Sequence, residues 1–132
     1  MVEVGKVKQL WCYPVKSMQG SPVEKIRIEK SGMLGDRHWA LRDESIGELT
    51  TVRKLPKLLK VQAVYTKDTP HDKPAHVTIE MPDGSAVNSQ DVDVNQKLSE
   101  AIGRPVTLWP LQPKTNLRHY RLNVPAGAEA MK

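Results

Sequence analysis

Apolar and polar residues alternate along most of this chain, and proline or glycine cuts the alternation repeatedly, at a spacing of about 8–12 residues. A period of two puts successive side chains on opposite faces of an extended backbone, so the pattern predicts many short strands. Residues Val2 to Tyr13 read as a strand pair or one long bent strand, with a bulge at Gly5. Val23 to Glu29 reads as a half-buried strand, Ile26 and Ile28 facing in and Lys25, Arg27 and Glu29 facing out. His38 to Arg42 is a short strand, Asp43 to Glu48 its hairpin loop and Leu49 to Val52 the return. Pro56 suits the first turn of a short helical segment near 54–58. Further strands follow at Leu59 to Tyr65, Val77 to Met81, Ala86–Val87, Val106 to Leu111 and Tyr120 to Val124. Residues 69–74 form a polar loop, and Pro82-Asp83-Gly84 is a hairpin turn.

One segment changes period. Val94, Leu98, Ala101 and Ile102 fall at i, i+4, i+7 and i+8, an apolar stripe on a helix from about 93 to 103. Asp93 is placed to cap it, with Gln96 three positions on, and Gly103 to end it. Many short strands and one helix predict a mainly β (α+β) fold, a small β-barrel of mostly antiparallel strands with the helix across one open end. At 132 residues the chain is one domain by size. The barrel is expected over 1–124, with 125–132 as a flexible tail. Phe is absent, so Val, Leu, Ile and Met must fill the core.

Charge adds polarity to this picture. The formal net charge is +5. Residues 1–62 hold twelve Lys/Arg against seven Asp/Glu, residues 63–103 three against seven, and residues 104–132 five against one. Two electrostatic faces follow, the basic one suited to an anion; ordinary solvated charge is the plainer reading. Cys12 is the single cysteine, which excludes an internal disulfide, and with no CxxC, Cys-His cluster or HExxH a structural zinc site is not expected. The N-terminus has no apolar signal region and no run reaches transmembrane length, so the expected setting is reducing and cytoplasmic, without a membrane.

Candidate chemistry sits at strand ends. In Leu10-Trp11-Cys12-Tyr13-Pro14-Val15-Lys16-Ser17-Met18-Gln19-Gly20 an apolar run stops at a proline, and a cation and a hydroxyl follow at once. Lys16 and Ser17 then lie where a strand leaves a sheet, beside free backbone N–H groups, an arrangement that suits a phosphate. The same spacing also describes an ordinary turn. Arg37 and Arg53 end other strands and converge with Lys16 and Ser17 if all four share one rim; the alternative pairs Arg37 with Asp36 or Asp43 and leaves Arg53 in solvent. The four histidines show no metal-ligand spacing, Cys12 reads as a small core residue, and Trp11, Trp39 and Trp109 as core or barrel-end fillers.

Three motifs in order, LWCYPVKSMQG, GDRHWAL and TTVRKLPKL, resemble the N-terminal β-barrel domain of MOSC proteins, relatives of the molybdenum cofactor sulfurase C-terminal domain that include amidoxime reducing components. LSEAIGRPVTLWPL followed by HYR fits bacterial members, and the resemblance spans about Val4 to Arg121. It implies that Lys16, Ser17 and Arg37 contact the phosphate and pterin of molybdopterin, with Arg53 near the same anion. It also implies a following MOSC core that carries the molybdenum-ligating cysteine. Cys12 does not match that cysteine, and lysine, serine or arginine cannot replace a thiolate ligand.

The expected function is therefore a cofactor-binding module, stand-alone or truncated, that works with a MOSC core on another chain. A complete reductase of N-hydroxylated compounds is suggested by the family alone and opposed by the missing ligand. A nucleic-acid-binding barrel is permitted by the basic ends but opposed by sparse aromatics and the acidic middle. A protein-interaction scaffold would expose Leu111, Leu117, Leu122 and Val124.

Overall fold

The computed structural model describes residues 2–66 and 75–120. Ten strands run through them: β1 (Leu10–Cys12), β2 (Ser21–Val23), β3 (Ile28–Glu29), β4 (Gly32–Met33), β5 (Trp39–Asp43), β6 (Glu48–Leu49), β7 (Gln62–Tyr65), β8 (Val77–Glu80), β9 (Ala86–Asn88) and β10 (Val106–Pro110). A 3₁₀ turn spans Pro56–Lys60, and two helices follow, α1 (Val94–Ile102) and the short α2 (Leu117–Tyr120). All strand pairs are antiparallel: β1 with β2, β3 with β4, and two three-stranded sheets ordered β10-β5-β6 and β7-β8-β9. This is the mainly β, barrel-like architecture the alternation predicts, with a second helix beside the expected one.

The segment that carries Lys16 and Ser17 joins the two larger sheets. Val15 forms a parallel bridge to Trp39 of β5, and Gln19 one to Gln62 beside it in β7. Lys16 N–H donates to Trp39 C=O at 2.9 Å and Trp39 N–H to Pro14 C=O at 3.0 Å. Gln19 N–H donates to Val61 C=O at 2.9 Å and Ala63 N–H to Gln19 C=O at 3.0 Å. Gly20 follows where no side chain fits: a Cβ there would lie 2.2 Å from the Cys12 carbonyl oxygen. The proline of the motif ends β1, and the backbone beyond it satisfies both neighbouring sheets at once.

The core is aliphatic, as the lack of Phe requires. Val15, Leu41, Leu58, Val61, Ala63, Val77, Ile79, Leu98, Ile102 and Val106 are all buried in one cluster. Helix α1 buries Val94, Leu98 and Ile102, and Gly103 ends it in the left-handed conformation at φ 80°. It packs on β9 and β10, one strand from each three-stranded sheet. Strand β10 is a sheet edge, and α1 covers it with side chains: Ser99 Oγ accepts from Val106 N–H at 3.0 Å and Asn95 Oδ1 from Leu108 N–H at 2.8 Å.

Four local expectations are corrected. Residues 2–9 form no strand and are exposed; their alternation has no sheet face to meet. The span from Val23 to Glu29 breaks into β2 and β3, and Ile28 is 75% exposed opposite exposed Met33, because the β3–β4 ribbon has no third strand among the described residues. The Asp93 side chain makes no cap hydrogen bond; it pairs with Lys97 at 3.1 Å. Tyr120 ends α2 instead of opening a strand. The expected loop at 69–74, strand residues 121–124 and tail 125–132 lie outside the described residues.

Candidate functional site

The bridge between Val15 and Trp39 sets the site. It holds the loop after β1 beside the turn that leads into β5, so Lys16 and Arg37, 21 positions apart, line one cavity. Arg37 N–H donates to Tyr13 C=O at 2.6 Å, which fixes its backbone. Ser17 and Arg37 are the non-glycine residues with left-handed backbones among the described residues, at φ 69° and 54°. Such conformations are sparsely populated, and they concentrate at functional sites.

The two cations differ in their surroundings. Arg37 donates from Nη1 to Asp36 Oδ2 and lies 5.5 Å from the Tyr13 ring centre, with its side chain 56% exposed. Lys16 is half-buried, and its ammonium has no ion-pair partner among the described residues. Burial, and then the Arg37 charge, push its pKa below the usual lysine range. Both effects disfavour the charged form of this lysine, and perturbed groups of this kind mark candidate sites.

Ser17 and Arg53 do not line this cavity. Ser17 Oγ accepts from Val52 N–H at 3.2 Å, so the hydroxyl fastens the turn that carries Arg53 to the Lys16 loop. Its own proton stays available to a second acceptor. Arg53 is exposed beside that turn. The Asp36 partner foreseen for Arg37 is present; Asp43 instead pairs with Arg104 at 2.8 Å.

The far wall comes from residues with no site signal in the sequence. Register places Pro110 opposite Trp39, and Leu111 N–H donates to His38 C=O at 2.7 Å. That pairing brings Trp109, His119 and Tyr120 against the cavity. His119 stacks 5.8 Å from Trp109 and edge-on to Tyr120 at 4.9 Å, and Tyr120 Oη donates to Gln112 C=O. The cavity measures about 130 Å³ and its lining is mostly apolar. Trp39 is buried, as expected of a filler, whereas Trp11 and Trp109 are 41% and 37% exposed. Leu111 and Leu117 are exposed, and Leu122 and Val124 lie outside the described residues.

His38 and His119 have pKa values lowered chiefly by burial; Asp36 opposes the shift at His38 and Arg42 adds to it at His119. Both rings are then neutral in the fold near pH 7. An unfolded histidine titrates near pH 6.5. Below that pH the unfolded chain takes up protons that the fold refuses, so stability falls as pH drops from about 6.5 through the lowered values. The melting temperature is expected to hold between pH 7 and 8 and decline from pH 6.5 to 5, and His119→Phe to flatten that decline; an unchanged slope in the variant contradicts the assignment.

Cys12 is buried, and burial with the Asp36 charge raises its thiol pKa, so it offers no thiolate. No group of three or more His, Cys, Asp or Glu among the described residues is placed to hold a metal. Among the described residues no helix is long and apolar enough to cross a membrane.

Short antiparallel strands packed around one aliphatic core define the class: a small β-barrel-like domain of mainly β structure. The chain belongs to the MOSC N-terminal beta barrel domain family, whose profile matches residues 4–116. It is 38% identical over 81 residues to mitochondrial amidoxime-reducing component 1 of Homo sapiens, covering 50% of this chain and 24% of that protein. Component 2 of Homo sapiens is 39% identical over 67 residues, covering 48% and 20%. Molybdenum cofactor sulfurase of Oryza sativa subsp. japonica is 30% identical over 125 residues, covering 77% of this chain and 15% of that protein. The chain thus spans less than a quarter of the length of these relatives.

Proposed function

We propose that this chain is the anion-holding module of a molybdenum-cofactor protein: Lys16 and Arg37 grip the phosphate end of molybdopterin, and a MOSC core, on a partner chain or in a longer protein, completes the site. The observation that carries the reading is the placement of two cations from separate motifs on one cavity, one of them without an ion-pair partner among the described residues. Arg37 supplies a planar fork of donors and Lys16 a point charge, the complementary pair that a phosphoryl group accepts. Ser17 and Arg53 stand outside the cavity, the hydroxyl bonded to Val52 N–H and the guanidinium exposed, so the grip is assigned to Lys16 and Arg37 alone.

The residues fit one end of the cofactor and not the other. A cavity of about 130 Å³ is far below the volume of ordinary cofactor pockets, so the chain encloses a fragment of the molecule and leaves the rest to a second surface. No thiolate is on hand for molybdenum, because Cys12 is buried with its pKa raised. Redox chemistry belongs to the metal when bound; this chain binds and orients. The kinship with amidoxime-reducing components and molybdenum cofactor sulfurase supports the cofactor class.

Molybdopterin released from a molybdoenzyme, titrated onto the protein and followed by pterin fluorescence, tests this. Wild type is expected to bind saturably and Arg37→Ala at least about tenfold more weakly, since a charge-assisted bond is lost. Equal binding by both proteins, or none by either, overturns the reading.

A further inference from the structure

We propose that the cavity behind Lys16 and Arg37 is a subsite for a single planar ring that carries a phosphoryl group, so that monocyclic aryl phosphates are ligands of this mouth. The inference rests on the anion reading above and adds a tail to the head that reading recognises. Three observations carry it. The cavity holds about 130 Å³, close to the roughly 150 Å³ of an apolar protein cavity known to take up benzene. Its lining is mostly apolar and includes Trp39, Leu49, Trp109 and Tyr120. Lys16 and Arg37 line the same space, and Arg37 stands partly in solvent, so charge and apolar wall meet at one opening.

The aromatic wall is held rather than loose. Trp39 Nε1 donates to Ala75 C=O at 2.9 Å and Trp109 Nε1 to Thr107 Oγ1 at 2.7 Å. Tyr120 Oη accepts from Gln112 N–H at 2.9 Å. With their polar atoms already bonded, these residues offer faces and edges, the surfaces on which a flat ring packs. His38 and His119, neutral at pH 7, add ring surface without adding charge. A ring seated there places a phosphoryl substituent at the cations, whereas an isolated phosphate uses the cations alone.

The test compares methyl phosphate, phenyl phosphate and 1-naphthyl phosphate by isothermal titration calorimetry at pH 7.5. Phenyl phosphate is expected to bind about tenfold or more tightly than methyl phosphate, the return for burying one ring. 1-Naphthyl phosphate is expected to lose that gain, because two fused rings exceed the cavity. Ala40→Leu, which adds bulk to the lining, is expected to bring the phenyl-to-methyl ratio toward one, with a thermal melt confirming that the variant folds. The naphthyl comparison in wild type decides the matter should that variant not fold. Equal binding of methyl and phenyl phosphate by wild type overturns the subsite and leaves the anion reading standing. A gain that grows from phenyl to naphthyl also overturns it. Failure of all three ligands to bind overturns both.

Discussion

Leu98→Ala is expected to lower the unfolding free energy by about 3 kcal/mol, within the range for buried leucines cut back to alanine. Leu98 is fully buried at the middle of α1, and the helix packs against β9 and β10. The helix touches one strand of each larger sheet, and deletion of this buried side chain leaves a void in their common core. A domain of this size has a total of about 5–15 kcal/mol, so the loss is a large fraction of the whole. Urea denaturation at pH 7.5 measures it; a loss below about 1 kcal/mol would show that α1 is not what ties the sheets together.

Lys16→Met is expected to separate binding from stability. The ammonium is half-buried near Arg37 and its pKa is lowered, so at neutral pH the charged form is held at a disadvantage. The sign follows from linkage: a lysine with a lowered folded pKa burdens the fold while it is charged, and the burden lifts as pH rises through that folded value. Methionine keeps the length and apolar stem and drops the charge. Methyl phosphate affinity is expected to fall roughly tenfold to a hundredfold, the loss of one charge-assisted bond of about 1.5–3 kcal/mol. The melting temperature is expected to stay level or rise. A variant that melts earlier and still binds would assign Lys16 to structure instead.

The legible parts of the fold were those in which local pattern and tertiary partner agree. Val94, Leu98, Ile102 and Gly103 mark α1 because the stripe meets β10 and the glycine supplies the left-handed stop. Val77 and Ile79 mark β8 because both faces of the pattern find their expected surroundings. Ile28 misleads, since alternation records which face could be buried and not whether another strand arrives to bury it. The stretch 2–9 misleads for the same reason. Likewise Asp93 has the right identity for a cap, but its carboxylate is drawn to Lys97.

The site was half legible. Cations at strand ends identify Lys16 and Arg37 as candidates, but their meeting depends on the Val15–Trp39 bridge, a long-range contact with no local signature. The hydroxyl of Ser17 looks like a ligand group in the sequence and is bonded to Val52 N–H in the fold. Trp109, His119 and Tyr120 fall in segments read only as family resemblance, with no site role; they reach the cavity through the pairing of β10 with β5 that sets Pro110 against Trp39. Solvent around Arg53 could not be read from its charge, since a basic residue after a strand serves equally at a rim or in bulk water.

A crystal structure with methyl phosphate bound puts the cation pair to its most direct test. The expected density is one phosphoryl group whose oxygens lie about 2.7–2.9 Å from both the Lys16 ammonium and the Arg37 guanidinium. A phosphoryl group that touches neither, or that sits on Arg53 in solvent while Lys16 keeps no ligand, would contradict the account.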